Sequence, residues 1–363
     1  MNISLCPECG VPEQITTNYQ WLNSGVMVQR NDISRRVGFL ESENLDPLYT
    51  GIGKIIGMPI DRLVIDISRR GTVEYFNTLI PPEARGMVRG ESLGPDSVAA
   101  FMTTTGQLNG FGKYEIVDIR YIGNADDHTV INVSEPFSLL LIAGTQAGGC
   151  EVVSGSPHEA SFREVSPGVY EVTATVSSRD ERLDERMPIK EYRHREGDIE
   201  LEKCATCGGP VALAGFRWLL DRGIISNVHT RRRMAMMGPE VQDPLFEELE
   251  RELGDTVPAV VVEAQRRFVK TGFYSIEEIG DEGDFRTQLA LRGFGNLREI
   301  SVRARGMRMR VDNAACYLMT AGIAQGLFEM AFDVDSYVEW ELSRDGDLEI
   351  EVTPHGVKQT VEV

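Results

Sequence analysis

No stretch of this 363-residue chain approaches about 18 consecutive apolar residues, so no membrane-spanning helix is expected. The opening Met1-Asn2-Ile3-Ser4-Leu5-Cys6 lacks a basic segment followed by an apolar one, so no secretory leader is expected and the expected location is cytoplasmic. Glycine loops of the kind that cradle a nucleoside triphosphate or a dinucleotide are missing. Histidine is scarce, and none of the five (His128, His158, His194, His229, His355) is set with a serine or cysteine as a nucleophilic triad requires. Positive charge is short as well. With 37 lysines and arginines against 56 acidic residues, the net charge of −19 repels phosphate backbones and argues against a nucleic-acid partner.

What remains is an ordinary globular composition, 42% apolar and 26% charged, in a chain long enough for two cores. Four of the six cysteines form two C-x-x-C pairs, Cys6/Cys9 and Cys204/Cys207. In a reducing compartment that pattern reads as metal or redox chemistry rather than structural disulfides. Two thiolates two residues apart chelate one zinc ion on a tight turn, and each pair supplies half of a tetrahedral shell. A redox pair sits at a helix N-terminus, whereas Gly10 and Gly208-Gly209-Pro210 argue against a helix at that point. Neither pair has its two missing ligands nearby in sequence. Either the two knuckles meet at a shared axis or each meets a partner chain, and the repetition favours the first.

The repetition extends well beyond the cysteines. Trp21-Leu22 answers Trp218-Leu219, Arg35-Arg36 answers Arg232-Arg233, and Asp46-Pro47-Leu48-Tyr49 answers Asp243-Pro244-Leu245-Phe246 at one constant spacing. The spacing then shortens through loop deletions: Gly110-Phe111-Gly112 matches Gly293-Phe294-Gly295, and Ala143-Gly144, Gly148 and Glu151 match Ala321-Gly322, Gly326 and Glu329. Matches in preserved order with one-directional drift predict an internal duplication. The first copy is read as residues 1–176, a charged linker as 177–203, and the second copy as 204–363.

Each copy reads as α+β. Asp46-Pro47 and Asp243-Pro244 look like helix starts, and Pro258 opens a further helix carrying Val261, Ala264 and Phe268. Alternating strands follow, Ile116 to Val133 around Gly123 and Ile300 to Val311 around Gly306, then an apolar helix, then a second hairpin. The clearest of these closing hairpins turns at Asp345-Gly346. The expected fold is two tandem copies of an antiparallel sheet covered by helices, related by a pseudo-twofold axis and carrying zinc knuckles.

The strand hairpin, the Ala-Gly-centred helix ending near a glutamate, and the closing hairpin resemble the small-molecule-binding domain named after 4-vinyl reductase. The residues that carry the resemblance are Gly110, Gly112, Ala143-Gly144, Gly148, Glu151 and Glu164, with Gly293, Gly295, Ala321-Gly322, Gly326, Glu329 and Glu341 in the second copy. The resemblance covers roughly the last two-thirds of each copy. It implies a buried apolar pocket used to sense aromatic or tetrapyrrole-like molecules. Many members also carry metal-binding cysteines beside the glutamate of the closing hairpin. The corresponding stretches here, 164–171 and 341–349, contain none, so that metal site is not carried over.

The candidate site residues follow. Cys6, Cys9, Cys204 and Cys207 are the metal ligands, with zinc as cofactor and a structural role. Gly144/Gly148 and Gly322/Gly326 are i, i+4 pairs on one helix face, open either to a close-packed neighbour or as the floor of a ligand pocket. Glu151 and Glu329 close apolar helices and read as ligand anchors or as solvated helix ends. Arg35-Arg36 and Arg231-Arg232-Arg233 read as solvated loops or as grips on a carboxylate or phosphate. Cys150, opposite Phe328 in the repeat, reads as packing. The function expected is non-enzymatic binding of a hydrophobic or aromatic small molecule by a sensor, carrier or accessory subunit. An enzyme on a hydrophobic substrate, related to the reductases, is the alternative. A protein-binding assembly factor is the third reading.

Overall fold

The structure is a computed structural model and describes residues 3–79, 95–177, 192–278 and 280–356. Most of the charged linker, residues 178–191, lies outside them. No described helix is long and apolar enough to cross a membrane.

After the first cysteine knuckle, α1 (Glu13–Asn18) leads into β1 (Tyr19–Trp21), β2 (Met27–Gln29) and β3 (Arg36–Glu41), followed by α2 (Ser42–Ile56), α3 (Asp61–Leu79) and α4 (Pro95–Leu108). Then come β4 (Lys113–Arg120), β5 (His128–Ser134), α5 (Leu139–Ser154), β6 (His158–Ser166) and β7 (Val169–Val176). The second half runs in the same succession. A 3-10 turn (Val211–Gly215) precedes β8 (Phe216–Leu219), β9 (Ile224–Asn227) and β10 (Arg233–Met237), and helices α6 (Pro239–Leu253), α7 (Val257–Phe268) and α8 (Glu282–Leu291) follow. It closes with β11 (Asn296–Arg303), β12 (Gly306–Asp312), α9 (Tyr317–Phe332), β13 (Ser336–Leu342) and β14 (Leu348–Pro354).

The described strands form three antiparallel sheets, which makes the fold α+β. One has six strands in the order β1-β2-β3-β10-β9-β8, and the other two run β4-β5-β7-β6 and β11-β12-β14-β13. The six-stranded sheet joins the halves through β3 and β10, with Leu40 opposite Ala235 and Phe39 opposite Met236. β3 is buried along its whole length, because it is a central strand covered on both faces.

The helices pack by their apolar stripes. In α2, Leu45, Leu48, Tyr49 and Ile52 are fully buried at helical spacing, and Gly57 ends the helix in the left-handed region at φ 85°. Both Asp-Pro pairs lie inside helices rather than at their starts. α2 begins at Ser42 and α6 at Pro239, so Pro47 and Pro244 are interior. The aspartates do cap helices, but other ones. Asp46 accepts from Ser138 Oγ at 2.5 Å and from the Leu139 N–H at 2.9 Å at the start of α5, while Asp243 accepts from the Cys316 N–H at 3.2 Å at the start of α9.

The halves interlock by reciprocal backbone contacts. The Gly295 N–H donates to Gly25 O at 3.0 Å, and the Gly112 N–H donates to Gly223 O at 2.9 Å. A Cβ on Gly25 would stand 2.4 Å from Gly295 O and one on Gly223 2.0 Å from Gly112 O, so only glycine permits either approach. Likewise the Phe39 N–H donates to Arg292 O at 3.0 Å and the Met236 N–H to Asn109 O at 2.8 Å. The described end of the linker, 192–203, is held to the second half: Arg195 pairs with Asp345 and Asp347, and Asp198 pairs with Arg286 and Arg298.

Candidate metal centre and cavity

The two knuckles are built alike. The Cys6 N–H donates to Val11 O at 2.8 Å and the Gly10 N–H to Cys6 O at 2.9 Å, and the Cys204 N–H donates to Gly209 O and the Gly208 N–H to Cys204 O at the same two distances. Gly10 and Gly208 take φ near +74° and +73°, the left-handed conformation that turns the chain back after the second cysteine. Buried Val11, Ile15 and Leu213 anchor both turns from beneath.

The knuckles meet. Cys6 and Cys204 sulfurs lie 3.8 Å apart, Cys9 and Cys207 sulfurs 3.6 Å apart, and all four fall within 4.8 Å of one another. A tetrahedral ion with metal–sulfur bonds of about 2.3 Å requires sulfur–sulfur edges of about 3.8 Å, so the donor set fits one metal ion. The separations are far beyond the roughly 2.05 Å of a disulfide. Cys6 and Cys204 are buried, each 2% exposed. Among the coupled thiols, the Cys9 N–H lowers the Cys6 pKa, whereas burial pushes the Cys9 thiol up, so a metal cation would be needed to ionise the whole set. Four thiolates so close repel one another unless a cation joins them. Neither cysteine pair opens a helix: α1 starts at Glu13, and a 3-10 turn stands at its place in the second half. Glu8 fastens the knuckles to each other by accepting from Thr206 Oγ1 at 2.7 Å and from the Thr206 N–H at 3.2 Å.

The paired glycines meet helices. A Cβ on Gly144 would lie 2.5 Å from Ile65 O and one on Gly148 2.5 Å from Arg69 O, both on α3. On Gly322 it would lie 2.6 Å from Val262 O, and on Gly326 2.6 Å from Val269 Cβ, along and just beyond α7. Gly144, Gly148, Gly322 and Gly326 therefore serve close helix packing, and this corrects the expectation that they floor a pocket. Glu151 and Glu329 clamp the same helix pairs and are not poised for a ligand. Glu151 takes Arg69 at 2.7 Å and the His158 N–H at 2.7 Å. Glu329 takes Arg266 at 2.6 Å, Lys270 at 2.8 Å and the Ser336 N–H at 2.9 Å. Burial opposes the charge on Glu329, but Lys270 and Arg266 outweigh it and hold its pKa below the usual glutamate value. Asp66 and Glu263 bridge to the same arginines, and with Arg69 only 3% exposed the first of these clusters is interior rather than a surface pair.

Of the repeated arginines, Arg36 is buried and its counterpart Arg233 is partly buried. Arg36 donates to Ala314 O at 3.0 Å, Gly293 O at 3.0 Å and Asn313 O at 2.8 Å, all in the other half. Arg233 returns the contact, donating to Glu135 O and, at 3.3 Å, to Pro136 O. Arg36 and Arg233 tie the halves together, which replaces both earlier readings for these two residues, while Arg231 is exposed on its turn as a solvated-loop residue. Their sequence signal was the recurrence of the pair itself.

A partly open cavity of about 680 Å³ lies mainly in the first half, between α3, α4, α5 and the β4–β7 sheet; it extends to β1–β3 and, in the second half, to the end of β10 and the first turns of α6. α5 borders it through the face next to the glycines: Leu141, Ile142, Thr145, Gln146, Gly149 and Cys150. Tyr114, Tyr121, Ile131 and Phe137 form much of the opposite wall. At the position equivalent to Cys150, the second half has Phe328, which is 2% exposed and packs on Phe332 with ring centroids 5.0 Å apart. The sequence expectation set a pocket floor on the glycine faces of both α5 and α9, whereas α3 and α7 cover those faces and the cavity borders the neighbouring face of α5. The face is set by which side α3 covers.

No family model matches this chain, and no curated protein matches it. Solved structures with some likeness are three H-NOX chains. One, described as probing the function of heme distortion in the H-NOX family, is 14% identical, with 33% of this chain and 73% of that one covered and a TM-score of 0.24. A point mutant of T. Tengcongensis H-NOX is 17% identical over 32% of this chain and 73% of its own, at a TM-score of 0.23. A Cs H-NOX mutant carrying 4-cyano-L-phenylalanine is 17% identical over 32% and 72%, also at 0.23. Likeness this shallow supports no statement about this chain's fold or ligand.

Proposed function

We propose that this chain is a zinc-stabilised, non-enzymatic binding protein for a hydrophobic or aromatic small molecule, acting as sensor, carrier or accessory subunit. In this reading it is an internal duplication about a pseudo-twofold axis, of the 4-vinyl reductase type. The single observation that carries the binding reading is the cavity of about 680 Å³ in the first half, within the size range of small-molecule sites and walled mainly by apolar and aromatic side chains. The palindromic sheet order and the reciprocal arginine clamps support the duplication. Four sulfurs on a tetrahedral edge support zinc, and four protein ligands close the shell, which suits a structural ion.

Binding should be one molecule per chain, because Phe328 occupies the second half where Cys150 borders the cavity in the first. Titration with the neutral probe N-phenyl-1-naphthylamine, followed by fluorescence, is expected to saturate at one equivalent. Cys150→Phe imports the second half's own residue and is expected to abolish binding while the protein still melts cooperatively. Undiminished probe binding by a folded Cys150→Phe protein would falsify the assignment of the site to this cavity.

A further inference from the structure

One short helix stands between the four cysteines and the cavity. α1 opens at Glu13, directly after the first knuckle, and its first turn is tied to that knuckle. The Glu13 N–H donates to Ser4 O at 3.0 Å, Pro12 pairs with Leu5, and Val11 O accepts from the Cys6 N–H at 2.8 Å. Ile15 is fully buried beneath the turn. The second knuckle reaches the same helix. A Cβ on Gly209 would stand 2.5 Å from Thr16 Cγ2, so the backbone of that knuckle lies directly against α1.

The other end of α1 is cavity wall. Thr17, Asn18 and Tyr19 border the cavity, and so does Arg30. Arg30 holds this end in place: its Nε donates to Thr16 O at 3.0 Å and its N–H to Asn18 O at 2.8 Å. Thr16 therefore meets the second knuckle through its methyl group and the cavity-lining Arg30 through its carbonyl.

A helix of six residues is unstable alone, since helices shorter than about 12 residues are at best marginal in water. The order of α1 comes from the contacts at its two ends, and whatever fixes one end lowers the entropy cost of fixing the other. The cavity also spans the joint that a shared ion would close, because Met236, Met237 and Val241 of the second half contribute to its wall.

We infer that the four-cysteine centre regulates the cavity: metal and ligand favour each other's binding, with α1 as the element they share. Loss of the ion loosens α1 and lowers ligand affinity, so metal supply controls occupancy. The effect is reciprocal, since the factor by which metal tightens ligand is the factor by which ligand tightens metal. The inference rests on the binding function proposed above and adds its regulation.

Titration of N-phenyl-1-naphthylamine into full-length protein, zinc-loaded and EDTA-stripped, tests it. The zinc-loaded form is expected to bind roughly tenfold more tightly, within the ordinary range of coupling between two sites. Equal or tighter binding by the stripped form overturns the regulation and leaves the cavity as a site. Binding by neither form removes the proposed function itself. Amide exchange on the zinc-loaded protein, with and without saturating probe, separates a link through α1 from a change in global stability. The probe is expected to slow exchange in α1 and at Cys6 and Gly10, whose N–H groups are bonded within the knuckle and lie outside the cavity. The distant hairpin β13–β14 is expected to stay unchanged. Unaltered exchange at the knuckle, or equal slowing in β13–β14, overturns the inference. This second measurement decides even where the stripped protein does not fold.

Discussion

Arg36 does most of its work across the molecule. Its guanidinium is 2% exposed and satisfies three carbonyl oxygens of the second half. Arg36→Met keeps the apolar stem but strips those oxygens of a charged donor, so a loss of about 3 kcal/mol is expected in urea unfolding. A midpoint unchanged from the native protein would remove the clamp from this account. The glycines on α5 and α9 act by their lack of a side chain. Gly148→Ala puts a Cβ 2.5 Å from the Arg69 carbonyl oxygen, and that backbone cannot yield as a flexible side chain does. A cost of about 1–3 kcal/mol is expected for this variant and for Gly326→Ala, read from the same denaturant titration. Neutral substitutions would mean that the helix pairs can slide apart without penalty.

At the scale of elements, α3 clasps α5 and α7 clasps α9 through equivalent ion clusters, Arg69–Glu151 and Arg266–Glu329. The second clasp gives stability a defined acid limit. The Glu329 pKa lies below the ordinary 4.5 in the fold, so its contribution is complete above that value and disappears as pH falls through the lower, folded-state value. His158 adds to the trend from a higher pH. It is fully buried at the start of β6, and burial lowers its pKa below the ordinary 6.5, so the unfolded chain takes up a proton there before the native one does. Melting temperature is therefore expected to decline as pH drops below about 6.5 and more steeply below about 4.5. Glu329→Gln is expected to flatten the lower part of that decline. An identical acid slope in the variant would show that the α7–α9 clasp does not control it.

For the whole molecule, the four-sulfur cluster is the joint where both halves are held at once. Two candidate ligands come from each half, so a single metal ion could join them. Metal analysis is expected to return one zinc per chain, and Cys207→Ser to release it. Structural zinc contributes of order 10 kcal/mol at neutral pH, so the loss should lower the melting temperature strongly. Amide exchange is expected to quicken at both knuckles, the one left unmutated included, because Cys6 and Cys9 lose the same ion. Two zinc ions per chain, or loosening confined to the second knuckle, would contradict a shared site.

The sequence by itself determined the local chemistry: which cysteines pair at chelating spacing, which segments alternate as strands, which helices carry the glycines, and that these features recur in order. Those signals reside in neighbouring residues, where turn geometry and periodicity act directly. It was silent on contacts made through space. Asp46-Pro47 carries the signature of a helix start, yet the aspartate caps a helix that begins 93 residues later at Leu139. Glu151 is out of place on an apolar run until Arg69 arrives from α3. The glycine face of α5 admits a ligand or a helix equally well until the chain brings one of them against it. Tertiary structure decided those cases, because a buried carboxylate, guanidinium or bare backbone takes its meaning from the partner that desolvates it, and here that partner comes from another element or the opposite half.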